Sequence, residues 1–142
     1  MKTTIHIYLD IKTLGYDEYE QISNLPPECK IILLCSKYSK ETVPVSFLTW
    51  ALGAKNKIEW LYLDIQEDAR ASLICYEAGR ILGKRVRTRK QIPIYLISKD
   101  SQLRTAASNL KILFPPEQYG TINCCTNVKE VLKQMQASSP VD

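Results

Sequence analysis

Aspartates stand at or just past the ends of several short apolar runs in this chain. Asp10 follows Ile5 to Leu9, Asp64 lies near the end of Ile58 to Ile65, and Asp100 follows Ile92 to Ser98 after one lysine. Asp68 comes soon after Asp64. Carboxylates gathered in one place hold hard cations such as Mg²⁺ or Mn²⁺, which keep several of their waters. Such an ion can activate water and steady the in-line displacement of a phosphodiester. The ordinary alternative is that each aspartate caps the helix after it and complements the helix dipole. That role leads for Asp64 and Asp68; for Asp10 and Asp100 both roles stand open.

Whether these residues meet depends on the elements that carry them. Ile5 to Leu9 reads as a first strand, and Asp17 to Asn24 as a short acidic helix closed by Pro26-Pro27. Lys30 to Cys35 is apolar on consecutive residues, as expected of a strand covered on both faces. Pro44 suits the first turn of a helix carrying Phe47, Leu48, Ala51 and Leu52, with Gly53 as its terminator. Ile58 to Ile65 is a third strand, and a long helix with Leu73, Ile74, Ala78, Ile81 and Leu82 inward runs from near Glu67 to Gly83. Ile92 to Ser98 is the fourth strand, followed by a helical stripe of Leu103, Ala106, Ala107 and Leu110. Thr121 to Cys125 is a fifth strand. Asn127 starts the last helix, with Glu130 as its capping-box partner and Val128, Val131, Leu132 and Met135 inward. Five β–α units in succession predict one α/β domain over 1–136, a three-layer α/β/α sandwich on a five-stranded parallel sheet, with a polar tail over 137–142. In such a sheet, ligands collect beyond the carboxyl ends of the strands.

The 142 residues, 24% of them charged with a net charge of +4, fit one ordinary domain and permit an anionic partner without demanding one. The longest apolar run, Ile31 to Cys35, is far short of the roughly 20 residues needed to cross a bilayer. The amino end lacks the features of a secretory signal, so a cytoplasmic location and no membrane partner are expected. The five cysteines form no C-x-x-C pair, and His6 is the one histidine; buried free thiols are expected rather than zinc or disulfides. There is no G-x-G-x-x-G and no P-loop motif, so neither a dinucleotide nor a P-loop nucleotide site is indicated. A receiver-like phosphorylation site would need a second acid beside Asp10, and His6 has no serine or cysteine partner at a recognisable spacing.

Ile-His-Ile-Tyr-Leu-Asp10 and Tyr-Leu-Ile-Ser98-Lys99-Asp100, with Asp68-Ala-Arg-Ala71 between them, resemble the motif order of PIN-like nuclease domains of the bacterial D-x-E-N subgroup. The likeness spans about residues 4 to 111, and only the Ser98-Lys99-Asp100 segment matches closely. It implies a PIN-like fold with Asp10, Asp68 and Asp100 as metal ligands and catalytic acids around Mg²⁺ or Mn²⁺. The chain departs from that pattern where Lys12, Thr13 and Ala71 replace family acids or asparagine. An ammonium beside Asp10 repels a divalent ion, and two or three carboxylates make a poor two-ion site. The resemblance therefore implies an eroded, weakly metal-binding site that takes RNA or a protein partner with little or no catalysis. The alternatives are an active Mg²⁺- or Mn²⁺-dependent ribonuclease cutting single-stranded RNA, or a different α/β function.

Lys12, Lys37, Lys99 and Arg104 fall at the carboxyl-end pole and are candidates to receive an RNA backbone. Lys84 to Lys90 carries five positive charges in seven residues, and Arg85, Arg87 and Arg89 are candidate phosphate contacts with a steep salt dependence. That segment leads into the fourth strand at the opposite pole, so it would form a separate contact or a solvated surface. Tyr8, Trp60, Tyr62 and Tyr95 lie within strands, where core packing is favoured over base stacking.

Overall fold

A computed structural model describes residues 5–36, 43–63, 93–113 and 122–138. Lys37, Asp64, Asp68, Ala71, Cys75, the helix expected from Glu67 to Gly83, and Arg85, Arg87 and Arg89 lie outside the described residues. The strands are β1 (Ile5–Asp10), β2 (Cys29–Ser36), β3 (Ile58–Leu63), β4 (Ile94–Ile97) and β5 (Ile122–Cys125). All pair in parallel, in the order β3-β2-β1-β4-β5. The order reverses between β1 and β4, the two strands that lead to Asp10 and Asp100.

Four α-helices are described: α1 (Tyr16–Ile22), α2 (Val45–Gly53), α3 (Ser101–Leu113) and α4 (Val128–Ser138). Alternate side chains of each strand point to opposite faces, and this splits the core in two. Ile7, Leu9, Ile31, Leu33, Tyr95 and Ile97 pack with Tyr19 and Ile22 of α1, Phe47 of α2 and Val128 and Val131 of α4. Tyr8, Ile32, Leu34, Ile94 and Leu96 pack with Leu103, Ala107 and Leu110 of α3. Helices on both faces of a five-stranded parallel sheet make the three-layer α/β sandwich that the alternation of patterns predicts.

Some local expectations shift. Pro44 is not in the first turn of α2 but caps it, with an extended ψ of 146°; its carbonyl accepts the amides of Phe47 and Leu48. Helix α4 runs through Ser138 and so takes up the first two residues of the expected tail. Tyr8 and Tyr95 are core residues, whereas Trp60 sits on an edge strand and is 37% exposed. The side chain of Asn56, in the turn from α2 to β3, donates to the carbonyls of Pro26 (2.8 Å) and Cys29 (3.0 Å). It ties the entry of β3 to that of β2. Replacing Asn56 with alanine removes this donor from both carbonyls, of which that of Pro26 keeps the Cys29 amide, and is expected to cost about 1–2 kcal/mol in urea denaturation.

Candidate functional site

The parallel sheet sends the ends of β1, β4 and β5 to one pole, and Asp10, Ser98, Asp100 and Thr126 gather there. β1 and β4 stay in register up to the Leu9–Ile97 pair, so the next residues, Asp10 (the last of β1, still paired with Leu34) and Ser98, come side by side at the end of the sheet. Asp10 is fully buried and Ser98 nearly so. A short 3-10 turn, Ile11–Thr13, follows β1 directly and folds Thr13 back over Asp10.

Two hydroxyls converge on one carboxylate oxygen. Ser98 Oγ lies 2.7 Å from Asp10 Oδ2, and Thr13 Oγ1 lies 3.2 Å from the same atom. Each hydroxyl also receives a backbone amide: Asp100 N–H reaches Ser98 Oγ at 3.0 Å, and Lys99 N–H reaches Thr13 Oγ1 at 3.0 Å. A backbone amide only donates. The Ser98 hydroxyl is thereby left to donate to Asp10 Oδ2, and the Thr13 hydroxyl to share its proton between Oδ2 and the Asp10 carbonyl at 3.4 Å. The carboxylate is a brace that clamps the β4–α3 connection onto the end of β1.

Asp100 has a different task. Its Oδ1 accepts the amide of Gln102 at 2.8 Å and its carbonyl accepts that of Arg104 at 3.1 Å, so it is the N-cap of α3. The sequence-predicted pair is thus brought to neighbouring strands, with each carboxylate engaged in hydrogen bonds of the fold. Among the described residues, no group of three or more His, Cys, Asp or Glu side chains is arranged to hold a metal ion.

The neighbouring pole of α4 is also filled from within. Asn127 Oδ1 accepts the amide of Glu130 at 2.8 Å, and Glu130 Oε2 accepts the amide of Thr126 at 3.1 Å, a capping box reaching one residue further back than usual. Glu18 of α1 adds a carboxylate from across the chain, with Oε2 2.8 Å from the Val128 amide. Lys12 and Lys99 are exposed, just past the ends of β1 and β4. Arg104 is exposed on α3, where it lines a groove with Ser101, Thr105, Ser108 and Cys124 of β5. The basic candidates that fall on described residues therefore ring the same pole, and α3 carries no acidic residue along its length.

Compared with solved structures, the chain is similar to Csm6 of Enterococcus italicus in its structure bound to cyclic hexa-2'-fluoro-hexa-dAMP, with 11% sequence identity and a TM-score of 0.52. The likeness is one of fold. It covers 98% of this chain but only 40% of the Csm6 chain. No protein-family model and no curated protein matches the sequence.

Ser98 and Thr13 were not singled out as site residues by the sequence. The close Ser98-Lys99-Asp100 match carried a trace of the first; Thr13 was visible only as a departure from the family asparagine. The described cysteines, Cys29, Cys35, Cys124 and Cys125, are free thiols. Cys124 and Cys125 face opposite sides of β5, so the first is half-exposed and the second buried. Burial, helped by the charge of Glu28, pushes the Cys29 thiol up to about 12, which removes the thiolate that nucleophilic chemistry requires. Native protein treated with iodoacetamide at pH 8 is expected to be alkylated at Cys124 well before Cys29, as read by peptide mass spectrometry. Among the described residues, no helix is long and apolar enough to cross a membrane.

Proposed function

We propose that this domain binds a short single-stranded oligoribonucleotide across the carboxyl-end crevice between β1 and β4, without metal-dependent cleavage. The observation that carries this reading is the double acceptance by Asp10 Oδ2 of the Ser98 and Thr13 hydroxyls. With Oδ2 engaged in the brace, an ion would have only the second oxygen of a buried carboxylate to take, and the positive charge of Lys12, two residues on, disfavours it further. The crevice lies at the point of strand-order reversal, the usual ligand position in open α/β sheets. The fold likeness to Csm6 solved with a cyclic hexanucleotide supports adenylates as the first ligands to try. The PIN-like resemblance of Ser98-Lys99-Asp100 points to the same pole and to RNA.

Lys12, Lys99 and Arg104 supply the cationic rim, and the exposed hydroxyls of Ser101 and Thr105 offer hydrogen bonds to phosphate or ribose oxygens. Fluorescence anisotropy with labelled linear and cyclic oligoadenylates tests the proposal. Binding is expected to persist in EDTA, to weaken steeply with salt, and to leave the RNA uncut when Mn²⁺ is added. Metal-dependent cleavage abolished by Asp10→Asn or Asp100→Asn would overturn it in favour of a ribonuclease. Absence of RNA binding at low salt would point instead to a protein partner.

A further inference from the structure

We infer that the Tyr16 ring is a stacking platform for one base of the bound oligoribonucleotide. Tyr16 is the first residue of α1, and it is 61% exposed. Of the two large aromatic side chains exposed among the described residues, Trp60 sits halfway along β3, and Tyr16 stands at the carboxyl-end pole. Chain geometry keeps it close to the crevice. Thr13, whose hydroxyl holds the Lys99 amide at 3.0 Å, is three residues earlier, and three residues span at most roughly 11 Å. Helical side chains lean toward the amino end of their own helix. At the first residue no earlier turn lies beneath the ring, so it leans toward the solvent above the strand ends.

The backbone under the ring is fixed from several sides. The Leu14 amide donates to the Ile11 carbonyl at 3.3 Å, and that of Glu18 to the Gly15 carbonyl at 3.1 Å. Glu18 Oε2 accepts the Val128 amide at 2.8 Å, which ties this first turn to α4. Tyr19 packs edge-on against Phe47 of α2, with ring centroids 5.2 Å apart, and Ile22 is fully buried. A ring on such a mount gives up little freedom when a base settles on it. Lys12 is exposed four residues before Tyr16, and Lys99 just past β4. Cations that track a backbone, beside an aromatic face that takes a base, are the two parts of a single-strand site. A purine offers the larger π-face, so adenine or guanine is the base expected on Tyr16. This role rests on the oligoribonucleotide reading and gives that site its contact to a base.

Fluorescence anisotropy at low salt tests it, with labelled linear oligoadenylate and with the same ribose-phosphate chain lacking its bases. Tyr16→Ala is expected to weaken oligoadenylate binding about 10- to 100-fold, the loss of one stacked base. Tyr16→Phe keeps the aromatic face and should stay within about twofold of the parent. The baseless chain should bind the parent and Tyr16→Ala alike, and their salt slopes should agree, because no phosphate contact is lost. Tyr16 is exposed and alanine is the best helix former, so the variant should keep the parent circular dichroism spectrum. Parent-like affinity of Tyr16→Ala, an equal loss on the baseless chain, or a Tyr16→Phe variant as weak as Tyr16→Ala overturns the role and leaves the oligoribonucleotide reading in place. A parent protein that binds neither probe fails that reading itself, and this role falls with it.

Discussion

Replacing Asp10 with alanine is expected to lower the unfolding free energy by about 3 kcal/mol, a loss of about 10 °C in Tm for a chain of this size. The Ser98 and Thr13 hydroxyls are held by the amides of Asp100 and Lys99, and only Thr13 keeps an alternative acceptor, the Asp10 carbonyl at 3.4 Å. Ser98 loses its carboxylate acceptor in a buried site, Thr13 keeps only the longer bond to the Asp10 carbonyl, and the connection into α3 is loosened from β1. Asparagine keeps one carbonyl oxygen that can accept both hydroxyls, so Asp10→Asn should cost only about 1 kcal/mol. A metal-ligand role orders the variants differently. Active-site acids are commonly held at some cost to stability, and removing one then leaves the fold unchanged or firmer. Urea denaturation with and without Mn²⁺ separates the two. A neutral or stabilising Asp10→Ala, together with a Mn²⁺-induced rise in Tm that this variant abolishes, would mean that Asp10 serves an ion.

The contrast between what could and could not be read from the chain follows from the same geometry. Strands β2 and β4 were legible because a parallel strand covered on both faces is apolar at consecutive positions, as in Ile31 to Cys35 and Ile94 to Ile97. The stripes of α3 and α4 were legible because each has a polar outer side. Helix α2 was legible as a helix but not in its orientation: a segment without a charge, with apolar residues on more than one side, gives little sign of which side faces inward, and Leu48 and Leu52 proved to face out. Trp60 misled for a related reason, since an aromatic residue reads the same in a central strand as at an edge. The meeting of Asp10 with Asp100 at one pole follows from any parallel β–α succession that makes their strands neighbours. The bonds to Ser98 and Thr13 do not, because they need the β1–β4 register and the fold of the Ile11–Thr13 turn, neither of which a single sequence specifies. The Glu18–Val128 bond spans 110 positions and lacked any local signal.

If RNA crosses this pole, its backbone must pass Lys99 and Arg104, which flank the capped start of α3. Reversing both charges with Lys99→Glu and Arg104→Glu is expected to weaken oligoribonucleotide binding about 100-fold at low salt. Two cations are removed and two anions set in their place, so lost attraction and new repulsion act together. Losing two phosphate contacts should also reduce the slope of log K against log salt by about 1.4, given roughly 0.7 per contact for a single strand. Both side chains are exposed and donate no side-chain hydrogen bond essential to the cap: Lys99 holds Thr13 through its backbone amide, and Asp100 holds Gln102 through its own carboxylate. Stability should therefore be nearly unchanged, unlike in Asp10→Ala. The two experiments probe one pole from opposite sides, the brace beneath and the charged rim above. A double variant that binds RNA with the parent affinity and salt slope would place the ligand elsewhere, and the basic segment around Arg85, Arg87 and Arg89 would then be the next place to substitute.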